Sequence, residues 1–371
     1  MATDVLIFVE DPGPAQYAAP LPGALAVKGR RTVVYAAGLA RDTLKQRNIP
    51  YLGVDVTSTP ESIIREIQPG ILLTGTSENP DSLGLRLISV AQRAGIPTAA
   101  FIDTGVNAPY RFRGRSSEAL AYAPDWILVP DAWTQDEFVR IGARADRVIV
   151  CGHPQYDHVL NLARRWTVAD RELRRRRFLP GLTEGQQAVV FLSEGSERLR
   201  LLSPAPAPDE YSLRGRGERT GRTEIIIEEF LMAVKHLPRS PYLVLRLHPK
   251  DCRDDFKTYA VDFDRIDHTS PPLELVFCAD LVVGMTSMLL LEAVLLGRRT
   301  LSIVPRTSER DWLPTVRLGI TPCVMNRQEL EAKLADLVRN GGPDRPDQSS
   351  FVLEGSLARL TGFVEKILTH G

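Results

Sequence analysis

Residues 281–305, LVVGMTSMLLLEAVLLGRRTLSIVP, restrict the possible folds of this chain more than any other stretch. They read as strand, tight turn, helix, glycine, strand. Leu281, Val282 and Val283 form the short apolar run that a buried parallel strand needs. Gly284 breaks it, and Thr286 and Ser287 follow where a helix starts, so their hydroxyls and the open backbone N–H groups make a place for a phosphate. Residues 288–296 are apolar nearly all round, which predicts a helix buried against a sheet. Glu292 is its single charge and lies within reach of a ribose held at the helix start. Gly297 ends the helix, and residues 300–304 make the next strand. A plain core βαβ unit fits the same residues, so any functional reading needs support from elsewhere in the chain.

A chain of 371 residues suggests two domains of ordinary size, and 43% hydrophobic residues can fill both cores. Lys+Arg and Asp+Glu each number 46, so the net charge is zero and nothing global points to nucleic acid or an anionic membrane. No apolar run reaches the length of a membrane span. The start, MATDVLIFVEDPG, enters a strand directly and lacks the regions of a signal peptide. Cys151, Cys252, Cys278 and Cys323 stand too far apart for metal or redox pairs. The expectation is a soluble cytoplasmic protein with no integral membrane segment and no metal.

The first half alternates strand and helix at least six times, which predicts a parallel sheet with helices on both faces. The first strand ends in Glu10-Asp11-Pro12-Gly13-Pro14-Ala15, expected to be a loop, with a helix over 18–27. Such a loop is where doubly wound sheets take ligands, although G-x-G-x-x-G is absent. The strand over 71–74 closes on a polar turn holding Glu78, and the strand over 97–103 closes on Asp103. A carboxylate at a strand's carboxyl end faces the ligand crevice of an open α/β sheet. Asp103 is therefore the first candidate for a general base, with Asp11 and Glu78 behind it; a turn-capping Asp reads equally well. Residues 108–115 are basic and aromatic and are read as a loop, and Gly152-His153-Pro154-Gln155-Tyr156-Asp157 follows the last strand of this half.

Residues 160–178, with Arg171 and Arg174–Arg177, read as a charged helical linker whose positive run is a solvated face. The α/β pattern restarts at 188–192 and ends in the small-residue turn Ser193-Glu194-Gly195-Ser196. Residues 199–222 carry little periodicity and read as a mobile functional loop or a disordered insertion. The strand over 242–247 runs into His248-Pro249-Lys250, where Pro249 stops it and turns His248 and Lys250 into the carboxyl-end crevice. Arg306 follows the strand that closes the 281–305 unit, 341–349 is a polar loop, and 353–368 a final helix. The domains are expected at 1–165 and 185–350, with a C-terminal helix within 351–371 packing back toward the first. The fold class is α/β, two Rossmann-like doubly wound parallel sheets facing a cleft.

His248-Pro249 on one strand and Thr286-Ser287 opening a helix resemble the HP and S/T-S motifs of bacterial polysaccharide glycosyltransferases of the GT-B superfamily. The resemblance covers most of the chain as a pattern, through short motifs. It implies that His248, Lys250, Thr286 and Ser287, with Ser193, Gly195 and Arg306, hold a nucleotide-sugar donor, and that Glu292 binds its ribose. GHPQYD at 152–157 is similar to the GNPxxD turn of the related UDP-sugar 2-epimerases, and RTSER at 306–310 resembles a shortened R-x-T-T-E-R. Yet the TGHRREN-type turn of those epimerases is replaced by LSEGSER at 192–198, without a His, and their HVEAG-type motif by FIDTG at 101–105. Those departures rank a transferase above an epimerase.

Glycosyl transfer needs the leaving phosphate neutralised and the acceptor hydroxyl deprotonated. GT-B folds use helix N-termini and basic side chains for the first, rather than a metal. Asp262-Phe263-Asp264 spells D-x-D, the metal motif of the other transferase fold, and is read as chance. The expected activity is metal-independent transfer from a CMP-, CDP- or UDP-linked donor to a glycan or small-molecule acceptor in bacterial glycan biosynthesis. No cofactor is needed beyond the nucleotide-sugar co-substrate, and a homodimer is left open. A UDP-sugar 2-epimerase and a non-catalytic binder are the alternatives.

Overall fold

The computed structural model describes residues 3–55, 58–195, 211–219, 221–339 and 352–370. It divides into two compact units, Met1–His158 with Val352–Gly371, and Val159–Phe351.

The first unit holds seven strands: β1 (Val5–Val9), β2 (Thr32–Ala36), β3 (Leu52–Gly53), β4 (Ile71–Gly75), β5 (Thr98–Phe101), β6 (Trp126–Val129) and β7 (Val148–Val150). Their order is β3-β2-β1-β4-β5-β6-β7, every pair parallel. Both faces of the sheet are covered, so strand residues are apolar without alternation. Along β1, Val5, Ile7 and Val9 enter one core cluster while Leu6 and Phe8 enter the other. The strand order reverses between β1 and β4, which opens a crevice at their carboxyl ends. The C-terminal helix Ser356–His370 belongs to this unit: Leu360 and Val364 join its core, and Arg30 holds Glu365 through two hydrogen bonds of 2.8 and 2.9 Å.

The second unit holds β8 (Ala188–Leu192), β9 (Tyr242–Arg246), β10 (Arg265–Asp267), β11 (Leu281–Gly284), β12 (Arg299–Ile303) and β13 (Cys323–Val324), ordered β10-β9-β8-β11-β12-β13 and parallel throughout. Here the order reverses between β8 and β11. The stretch 281–305 folds as β11, the buried helix Met288–Leu295 and β12, with Leu281 paired to Arg299. Gly297, at φ 72, makes the left-handed turn after the helix that a side chain would strain.

Several expectations are corrected. The 10–15 stretch is helical from Pro12, giving helices Pro12–Ala18 and Leu21–Val27. Proline in the first turn loses only an N–H that has no helical partner there, so Pro12 opens the first helix and Pro22 is accommodated at the second position of the next. Ala108–Arg111 is a helical turn, not a loop. The linker is two helices, Pro154–Arg165 and Val168–Phe178; Arg176 and Arg177 are solvated as expected, but Arg171, Arg174 and Arg175 are half-buried and paired. Arg171 donates to the carbonyls of Phe277, Cys278 and Ala279 at the end of helix Pro272–Cys278 and, with Arg175, to Asp280. Cations there satisfy carbonyls the helix leaves open.

Of the aperiodic 199–222 stretch, 199–210 and 220 lie outside the described residues, as do Ser196, Glu197, Arg198 and the 341–349 loop. The described part, 211–219, is tied down. Glu229 accepts from the N–H groups of Arg214 and Gly215 and from Arg327, and Glu228 accepts from the N–H of Arg216.

Candidate functional site

In the second unit the reversal point lies between the turns that follow β8 and β11. Ser287 caps the helix Met288–Leu295 by accepting from the N–H of Leu289 at 3.3 Å. Thr286, one residue earlier, presents its N–H and hydroxyl to the opposite turn. There the carboxylate of Glu194 takes both: Thr286 N–H donates to Oε1, and Thr286 Oγ1 donates to Oε2 at 2.9 Å. Arg222, opening the helix Arg222–Lys235, donates to the same Oε2 at 2.8 Å and to Oε2 of Glu309 at 2.8 Å. Arg306 closes the chain of charges by pairing with Glu309 Oε1. The Arg222, Glu194 and Glu309 side chains are 5%, 12% and 0% exposed. Burial alone would push Glu194 up, but the Arg222 guanidinium and the Thr286 donors outweigh it and hold the carboxyl below the usual range.

The same turn also meets the β9 edge. Ser193 Oγ accepts from the N–H of His248 at 2.8 Å and donates to Asp251. His248 Nδ1 accepts from the N–H of Lys250 at 3.1 Å, which leaves Nε2 to carry the proton of a neutral ring. Gly195 lies so close that a Cβ there would stand 2.9 Å from His248 Nδ1 and 3.0 Å from Lys250 Cβ. His248, Lys250, Ser193, Gly195 and Thr286 are thus brought together around the Ser193–Gly195 turn. Glu292 is buried on the helix that Ser287 caps. Arg306 also stacks on Tyr211, 5.5 Å from the ring centroid.

In the first unit, Asp103 follows β5 and its carboxylate lies against Gly13. A Cβ at Gly13 would sit 2.0 Å from Asp103 Oδ2. Oδ1 makes no hydrogen bond and faces Arg111 NH1 at 3.6 Å. Arg111 is buried, donates to the carbonyl of Val106 at 3.1 and 3.2 Å, and stands 4.0 Å from Glu78. Glu78 accepts from Asn107 at 2.9 Å. Burial pushes the Asp103 carboxyl up, Arg111 pulls it partly back, and the nearby Asp11, at the N-cap of Pro12–Ala18, raises it further. Burial likewise raises Glu10, at the end of β1, against the Ser77 and Ser82 hydroxyls. Four buried polar atoms here have no hydrogen-bond partner: Asp103 Oδ1, Thr74 Oγ1, Thr76 Oγ1 and Thr134 Oγ1. Such groups are rare in a folded interior, and a cluster of them at a strand edge is open to the hydroxyls of a ligand.

Glu194, Arg222, Glu309, Arg111 and Glu10 are the residues that the sequence reading did not single out. Three of them lay inside quoted motifs or turns: Glu194 in LSEGSER, Glu309 in RTSER, and Glu10 in the turn after the first strand. The basic-aromatic run at 108–115 was the signal for Arg111. His153 lies fully inside the first unit, its ring stacked on Tyr156 at 4.5 Å and edge-on to Tyr17 at 4.6 Å. The D-x-D residues have structural partners: Asp264 accepts from the N–H of Leu243 at 2.7 Å, and Asp262 pairs with Arg216 at 3.5 Å. Among the described residues no cluster of His, Cys, Asp and Glu is arranged to hold a metal, and no helix is long and apolar enough to cross a membrane.

No protein-family model and no curated protein matches the chain. Solved structures do. The UDP-GlcNAc 2-epimerase of Methanocaldococcus jannaschii, in complex with UDP-GlcNAc and UDP, superposes with TM-score 0.68 at 14% identity over 100% of both chains. The UDP-GlcNAc 2-epimerase of Neisseria meningitidis bound to UDP-GlcNAc gives 0.65 at 14% identity, again over 100% of both chains. A glycosyltransferase from Rickettsia africae gives 0.63 at 11% identity over 100% of both chains. Two doubly wound parallel sheets of seven and six strands are the GT-B architecture. This chain has that fold, and it is the fold of UDP-GlcNAc 2-epimerases as well as of glycosyltransferases.

Proposed function

We propose that the chain is an enzyme acting on a nucleotide-activated sugar. The second unit receives the nucleotide phosphates at the turn between Thr286, Arg222 and His248. In the first unit, Asp103 serves as the proton-accepting carboxylate. The observation that carries this reading is the concentration of anion-holding groups on one carboxylate at the β8–β11 reversal: a helix-start N–H, a hydroxyl and a buried guanidinium. A carboxyl raised by burial holds a proton nearer neutrality than an ordinary Asp does, which suits a general base. The reading invokes neither a metal nor a redox cofactor.

The finer reading is a UDP-sugar 2-epimerase, supported by end-to-end likeness to two such enzymes. Inversion at C2 requires a C–H bond to be broken and remade, and Asp103 is the carboxylate proposed to take that proton. Glycosyl transfer is the second reading. It is favoured by the 192–198 turn, which has no His where the epimerase turn has one.

A thermal-shift panel of CMP, CDP, UDP and GDP tests the shared claim. At a hundredfold excess over Kd, a binding nucleotide stabilises by about 2.7 kcal/mol. For units of this size that is a rise of roughly 5–10 °C. If none of the four moves the melting temperature, the proposal fails. UDP-GlcNAc incubated in deuterium oxide without an acceptor then separates the readings: an epimerase incorporates deuterium at C2, and a transferase leaves the sugar unlabelled.

A further inference from the structure

Three of the second unit's anion-holding groups, the Thr286 N–H and hydroxyl and the Arg222 guanidinium, are engaged by the chain itself. The Glu194 carboxylate sits where the helix-start N–H and hydroxyl of Thr286 converge with Arg222. The charges around it balance: Arg222 and Arg306 face Glu194 and Glu309. A buried cluster of zero net charge has nothing left with which to offset the desolvation of a phosphate. Either ligand phosphates stop short of Thr286 and Arg222, or one of the two carboxylates gives way. Glu309 is wholly buried and bonded to both arginines, whereas Glu194 comes from a turn and reaches across the crevice to its partners.

We infer that Glu194 is an internal occupant of the phosphate seat, and that ligand phosphates bind by exchange with it. The incoming oxygens take the Thr286 N–H and hydroxyl and the Arg222 guanidinium while the Glu194 carboxylate turns out of the crevice. The exchange sets the specificity of the site. A neutral sugar offers no charge to replace a carboxylate on Arg222, and a phosphodiester, with one charge, only matches it. A diphosphate, with more charge and more acceptor oxygens, displaces it best. The inference rests on the reading of the second unit as the phosphate-holding part.

Calorimetric titration with two probes, inorganic pyrophosphate and UDP, tests it on the full-length wild type and on Glu194→Gln. Gln keeps the shape of Glu194 and removes its charge, so the seat becomes net positive. Both probes are expected to bind the variant at least tenfold more tightly than the wild type. Equal or weaker binding of pyrophosphate by the variant overturns the inference. Should UDP bind both proteins alike, the exchange is refuted while the nucleotide-sugar reading stands. Should pyrophosphate gain tenfold while UDP binds neither, the exchange stands and the nucleotide-sugar reading falls. If Glu194→Gln does not fold, Glu194→Asp replaces it. That variant keeps the charge but shortens the reach to Thr286, and a rise in pyrophosphate affinity of severalfold is expected; no rise refutes the exchange.

Discussion

The two reversal points, one in each sheet, are built on the same topology and left in opposite states. At the β8–β11 crevice the polar groups answer one another: Thr286 to Glu194, Glu194 to Arg222, Arg222 to Glu309, Glu309 to Arg306. At the carboxyl edge of the first sheet four buried polar atoms lack a hydrogen-bond partner, and the nearest cation to Asp103 stands 3.6 Å away. The carboxyls register the difference, Glu194 held down by Arg222 despite its burial and Asp103 pushed up by burial. A saturated edge holds its shape without a ligand. An unsaturated edge stores free energy that a ligand can release, which is how reactive carboxylates come to be found in such places.

That contrast is most open to attack at Asp103. Its folded form is raised above the ordinary 3.8, so its contribution to stability is present below that pH and is lost as pH rises through the raised value. Asp103→Asn removes the loss, so the melting temperature at neutral pH is expected to stay level or rise. Turnover, once a substrate is found, is expected to drop by about 10²–10⁴, the usual worth of a positioned base. A variant that melts lower and keeps its turnover would make Asp103 an ordinary turn residue.

The saturated edge should respond the other way. Arg222→Met strands two buried carboxylates and is expected to cost about 3–5 kcal/mol in urea unfolding. A cost below about 1 kcal/mol would mean that the network is not the closed system its geometry describes.

The smallest effect concerns a buried group in the turn that follows β7. Burial lowers the His153 imidazole from 6.5 to about 3, so below pH 6.5 the unfolded chain binds a proton that the folded chain refuses. Its contribution is whole above about pH 6.5 and is lost as pH falls toward 3, by up to about 1.4 kcal/mol per pH unit. His153→Asn keeps an acceptor for the N–H of Gln155 and cannot be charged. Stability measured between pH 7 and 4 should fall less steeply in that variant; parallel slopes would show that the ring is protonated in the fold.

The central strands were legible because both faces of each sheet are covered, which writes them as unbroken apolar runs such as Val5–Val9 and Leu281–Gly284, whereas the short outer strands β10 and β13 carry no such run and were not read. The turns that end them were legible for the same reason, and they carry Asp103, His248 and Thr286. What could not be read were pairings between distant turns. Arg222 meets partners 28 and 87 residues away and closes a stretch with no periodicity to mark it. Thr286 was correctly placed at a helix start, but nothing local could reveal that Glu194, 92 residues earlier, already takes its donors. Arg171 and Arg175 misled for a related reason. A run of like charge reads as solvated until the fold supplies carbonyls and an Asp280 for it to hold.

The fit between Gly13 and Asp103 has a consequence for how this chain can vary. With 2.0 Å between one carboxylate oxygen and the point where a methyl would begin, a side chain at 13 forces the Asp103 carboxylate to move. An alanine at 13 displaces the acid from its present position, whereas a shorter side chain at 103 leaves room for it. The absence of a side chain at one turn thus fixes where the acid of another can stand.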